Sequence, residues 1–85
     1  MSTLVVMADD PVRLDNRGLT PPEPMVRTLA AFERLPPGGR LLIHNDRVPI
    51  YLLVELGELQ AEVSVTEHDD GSAEVAIRKP VQSAS

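Results

Sequence analysis

GLTPPEPMV, residues 18–26, places three prolines within four positions, directly ahead of an apolar run with helical spacing. Proline has no backbone N–H and breaks a helix interior. The first N–H groups of a helix have no intrahelical partner, however, so proline in the first turn loses nothing and brings a helical φ. The stretch therefore reads as a helix start, in one of two registers. With Thr20 as the cap, TPPE forms a capping box through Glu23, but Pro24 falls at the fourth helical position and deletes a bond. With Pro21 as the cap, Pro22 and Pro24 take the first and third positions and no bond is lost. The second register is the expectation, with Thr20 capping loosely from outside.

Downstream, Met25, Leu29 and Phe32 recur at i, i+4 and i+7, with Val26 beside them, which predicts a helix over 22–35 with that face inward. PPGG at 36–39 ends it. Upstream, VRLDN (12–16) alternates as a short strand with Val12 and Leu14 inward, and Gly18 allows a tight turn. RLLIHND (40–46) has the continuous apolar centre of a strand in mid-sheet. In RVPIYLLVELGEL, a second helix is expected to start with Asp46 as cap and Pro49 at the third position, with Ile50, Leu53, Val54 and Leu56 inward and Gly57 as terminator. LQAEVSVTEH (59–68) has the strict alternation of a half-buried strand. DDGS (69–72) is a hairpin signal, and AEVAIRK (73–79) returns with Val75 and Ile77 inward. Leu29, Phe32, Ile43 and Val63 are the expected core.

The order is β-α-β-α-β-β. Two crossovers of one hand bring both helices to the same side. The expected fold class is α+β, a two-layer α/β sandwich with a four-stranded mixed sheet and two helices packed on one face. Arg13, Arg40, Leu42, Glu62, Thr66, Glu74 and Arg78 would show on the other face. Residues 1–10 read as an N-terminal extension or as an edge strand, residues 11–79 as the domain, and residues 80–85 as a flexible tail.

Composition narrows the chemistry. The chain has 85 residues, one Phe, one Tyr and no Trp, so Leu, Val and Ile must build a small core. It has no cysteine, which removes thiolate nucleophiles, persulfide carriage and Cys-ligated metal. A net charge of −5 disfavours non-specific nucleic-acid binding. No apolar run approaches a membrane span, and the default localisation is cytoplasmic.

LDNRGLTPPEPM (14–25) resembles the TusA-like (SirA-like) sulfur-carrier superfamily. In that family a strand ending in Leu-Asp leads through a Gly-Leu turn to Cys-Pro-x-Pro at the first helix. Leu14-Asp15, Gly18-Leu19 and Pro22-Glu23-Pro24 match, and Pro21 stands at the cysteine's place. LPPGGRLLI resembles the family's Pro-Gly turn and second strand, and the likeness runs from about Val12 to Lys79. The closer resemblance is to an uncharacterised branch with Pro-Pro-Glu-Pro and a later His before a Pro-Leu-Tyr-like segment, similar to His44 and Pro49-Ile50-Tyr51. The resemblance implies the sandwich fold, no persulfide transfer and no cofactor. It also implies an accessory or regulatory role with a protein partner, of a redox or respiratory pathway, for a monomer or weak dimer.

Both helix starts lie at the carboxyl ends of their preceding strands, the edge where sites form in open α/β sheets. The motif Pro21, Pro22, Glu23 and Pro24 should therefore adjoin a candidate binding edge of Arg17, Gly18, His44, Asp46, Arg47, Pro49 and Tyr51. Arg17 and Arg47 can grip a carboxylate. Glu23 suits the helix dipole. His44 beside Asp46 is the residue suited to acid/base work, but a single His without a second ligand nearby does not make a metal site. No catalytic or metal residue is expected. His68, before the hairpin, is placed on the surface at the other side of the sheet. The main expectation is a non-catalytic binding module. The alternative is a ligand-handling protein or enzyme using His44, Asp46 and Glu23, marked by a deep cavity with His44 pointing in.

Overall fold

The computed structural model describes residues 10–81. The question of an edge strand in residues 1–8, and most of the proposed tail, lie outside them. Six elements follow in order: β1 (Val12–Asp15), α1 (Glu23–Arg34), β2 (Arg40–Asn45), α2 (Ile50–Glu58), β3 (Glu62–Glu67) and β4 (Ala73–Arg78). The sheet order is β1-β2-β4-β3. β1 runs parallel to β2, and β4 is antiparallel to both of its neighbours. This is the expected mixed sheet.

Both helices pack on one face. Phe32 from α1, Leu35 at its C-cap, and Leu52 and Leu56 from α2 meet Leu41 and Ile43 of β2 and Val75 and Ile77 of β4. The central strands β2 and β4 supply the buried sheet residues because they have neighbours on both sides. Leu29 and Val63 are only partly buried against this cluster. Val12 and Val65, on the edge strands, are exposed.

The prolines sit one residue off the expected register. Pro22 is the N-cap of α1, Glu23 the first helical residue and Pro24 the second. The first helical bond is Val26 N–H to the Pro22 carbonyl at 3.1 Å, so both prolines still fall where no donor is needed. Thr20 contributes its carbonyl, which accepts from Glu23 N–H at 2.9 Å. At the other end, Lys79 Nζ donates to the carbonyls of Glu33 (3.0 Å) and Leu35 (2.9 Å), closing α1 from the end of the sheet.

α2 departs further. Its N-cap is Pro49, not Asp46, and its buried residues are Leu52 and Leu56. Ile50 (60% exposed), Tyr51 (82%) and Val54 (56%), of which Ile50 and Val54 were expected inside, face out. The face that packs on the sheet is the one carrying Leu52 and Leu56. The start is late because Asp46 is engaged by Gly18 N–H, and its loop runs on to Pro49 before the helix turns. Gly57 does not terminate α2 either. The chain leaves through Gln60 in the left-handed region (φ 62), with Gln60 N–H bonded to the Gly57 carbonyl and Ala61 N–H to the Leu56 carbonyl. That is a Schellman cap with glutamine where glycine is usual. It takes Leu59 out of β3.

Candidate functional site

At the carboxyl ends of β1 and β2 the loops before α1 and α2 face each other across a groove of about 530 Å³. One wall is Leu19, Pro21, Pro22, Pro24 and Met25; the other runs from Asp46 to Leu52. The two loops are stitched by Asp46, whose Oδ2 accepts from Gly18 N–H at 2.9 Å. This bond uses the carboxylate that the sequence suggested as a helix cap.

The floor of the groove is polar. Asn16, 1% exposed, donates from Nδ2 to Thr28 Oγ1 and to Asn45 Oδ1, each at 3.0 Å. Its backbone N–H bonds to the His44 carbonyl at 2.8 Å. The knot ties β1, α1 and β2 together. Among the described residues Asn16 Oδ1 has no hydrogen-bond partner although it is buried, which is costly unless something supplies a donor. Asn16 and Asn45 escaped the sequence reading. The signal was present: Asn45 in β2 and Asn16, directly after β1, fall in phase with the inward Leu41 and Ile43 and with Leu14, where a polar side chain must be satisfied internally.

The expected site residues divide between two surfaces. Pro21, Pro22, Pro24, Asp46, Arg47, Pro49 and Tyr51 line the groove. Glu23 is exposed at the start of α1 and does not line it. His44 and Arg17 do not line it either. His44 alternates with the inward Ile43 and Asn45 and so emerges on the open face of the sheet. There Asp15 lies beside it in register, and Arg17 is held by that carboxylate through two bonds of 2.9 Å. The hydrogen bond from Arg17 holds the Asp15 carboxyl far below the usual carboxylate range, and Asp15 raises the guanidinium in return. Arg17 is thereby occupied within its own turn.

On the same open face, His44 Nε2 lies 3.0 Å from Ser72 Oγ, and Ser72 donates to Asp70 Oδ1 at 2.6 Å. The Ser72 hydroxyl, then its backbone N–H, lower the Asp70 carboxyl. His68 stacks edge-on against His44 with ring centroids 5.5 Å apart. His68 Nε2 meets Glu74 Oε2 at 3.2 Å. This corrects the placement of His68 on the far side and the premise that His44 has no second ligand nearby. The reason is topological: β4 is antiparallel to β2, so the β3–β4 turn returns to the carboxyl end of β2.

A family profile described as "Uncharacterized conserved protein (DUF2249)" matches residues 13–79. The chain belongs to the DUF2249 family. Its fold is SirA-like: the crystal structure of the SirA-like protein from Desulfitobacterium hafniense is similar with a TM-score of 0.69 and 25% identity, covering 81% of this chain and 97% of that one. No curated protein matches the DUF2249 chain in sequence. Among its described residues no helix is long and apolar enough to cross a membrane. With no cysteine anywhere in the sequence, this DUF2249 domain presents prolines, a tyrosine and a buried amide at the groove rather than a thiol.

Proposed function

We propose that the domain is a non-catalytic accessory or regulatory binding module, and that its working surface is the proline-walled groove, which takes an extended apolar segment of another protein. The observation that carries this reading is an apolar cleft walled by Pro21, Pro22 and Pro24 on one side and by Pro49, Ile50 and Tyr51 on the other. Apolar side chains of the partner fill the space between the two walls. A partner larger than a small molecule is favoured because the apolar surface continues along α2 from Ile50 to the exposed Val54, one turn on. The prolines support the role by shape, since a wall without free N–H groups stays rigid and dry. The alternative, a ligand-handling enzyme built on His44, Asp46 and Glu23, has less support, because these three side chains do not line one cavity.

The test begins with capture of binders from the native host lysate on the wild-type chain and on an Ile50→Asp, Tyr51→Asp double variant. Both positions are exposed, so the variant keeps its fold. The recovered partner is then purified and titrated into isotope-labelled protein. Amide shifts are expected over residues 19–25 and 45–52 and are lost in the variant. Shifts confined to the open sheet face, or no partner that distinguishes the two chains, overturn the reading.

A further inference from the structure

We propose that His44, His68 and Glu74 form a binding site for a borderline divalent transition-metal ion, such as zinc, on the open face of the sheet. The site is separate from the groove and stands or falls independently of it. Among the described residues these three each bring one ligand atom to within 4.8 Å of the other two. Donors on a single ion at about 2.1 Å lie about 3.4 Å apart in tetrahedral geometry. The His68–Glu74 pair, at 3.2 Å, is already at that spacing, and a ring nitrogen of His44 lies within 4.8 Å of both.

The placement rests on the sheet. His44 and Glu74 are direct cross-strand partners on β2 and β4. Thr66 pairs with Glu74 from the other side, and His68, two residues on, shares its face. The turn that carries His68 is closed by His68 N–H to the Ser72 carbonyl at 2.8 Å and Gly71 N–H to the His68 carbonyl at 3.0 Å. Three backbone segments thus converge without a long loop.

The His44 ring is also oriented. The one hydroxyl proton of Ser72 goes to Asp70, so towards His44 the Ser72 oxygen accepts. Nε2 of His44 therefore carries the proton, and its lone pair is on Nδ1. An imidazole N–H held through a hydrogen-bonded carboxylate relay is the usual support of a ligating histidine. As a plain surface pair, His68 and Glu74 would contribute little, since both side chains are 39% exposed. Two imidazoles and one carboxylate suit zinc, cobalt, nickel or ferrous iron rather than calcium or magnesium. Asp15 and Asp70 nearby, in a chain of net charge −5, favour a cation. Three protein ligands leave a coordination position for water or a further ligand.

The chain has two histidines and no cysteine, so nitrogen ligation from side chains has no other source. Tag-free, metal-stripped protein is titrated with Zn(II) by calorimetry, and with Co(II) by visible absorption. One ion per chain is expected, with a tetrahedral-type cobalt spectrum and paramagnetic shifts at both imidazoles. His68→Ala and Glu74→Gln, at exposed positions, should each weaken binding by at least about tenfold with unchanged circular dichroism. No stoichiometric binding at micromolar metal, wild-type affinity in both variants, or cobalt shifts away from the two rings would overturn the proposal.

Discussion

His44 and Asn45 are adjacent on β2, yet they serve surfaces with opposite character. Asn45 turns inward to the knot beneath the groove. His44 turns outward to Ser72, His68 and Asp15's side of the sheet. The groove is walled mainly by apolar side chains and floored by the buried, internally bonded Asn16–Thr28–Asn45 knot. The open face is built from ionisable groups joined by short polar contacts over exposed sheet. One edge of a two-layer sandwich thus supports two chemistries, because a strand sends successive side chains to opposite faces. The layer beneath each decides which chemistry is stable there.

The strongest way to break the comparison is to remove the support on one side. Phe32→Ala should cost about 3–5 kcal/mol, a large share of the stability of any small domain, and urea melts measure it. His44→Ala, on the uncovered face, should leave the fold standing. Equal losses from the two would mean that the core does not discriminate between the faces.

A smaller effect is expected at the groove floor. Asn16→Ala strands Thr28 Oγ1 and Asn45 Oδ1 without their shared donor, at a cost of roughly 1–3 kcal/mol. The same melts should show it, and a shift near zero would mean that water replaces the amide at once.

Two changes should sharpen the contrast by stabilising the scaffold without touching either surface. Gln60→Gly relieves the left-handed cap of α2 and should add about 0.5–1 kcal/mol. Gly57→Ala, inside the helix with open space at its Cβ, should add a similar amount, about 0.5–1 kcal/mol. Thermal melts of the pair test both, and together they supply a background in which the costly variants remain folded.

The smallest effect lies on the open face. The Asp15 carboxyl is held low in the folded chain by Arg17. Its contribution is therefore present above the unfolded carboxylate value of about 3.9. It is lost as the pH falls from there through the folded value. Asp15→Asn should melt slightly below wild type at neutral pH, and the gap should close on acidification. Both side chains are exposed, so added salt should narrow it too. A gap that widens in acid would mean that Arg17 is not the cause.

The spacing of apolar residues alone determined the six elements, their order, the inward Met25, Leu29 and Phe32 of α1, though not Val26, which is exposed, and the inward pair Val75 and Ile77. It also determined why prolines are tolerated at 22 and 24 and, through the missing cysteine, that thiol chemistry is absent. Those properties depend on neighbours within a turn or a few residues along a strand. The parity that sent Arg40 and Leu42 to the open face already sent His44 there. What only the tertiary structure decided was the strand order, with β4 between β2 and β3, which lays the hairpin turn beside His44. It also decided the late start of α2, because Asp46 bonds to Gly18, 28 residues away. Both choices join distant segments, and they are settled by which arrangement buries Leu52, Leu56, Val75 and Ile77 together, not by any local period.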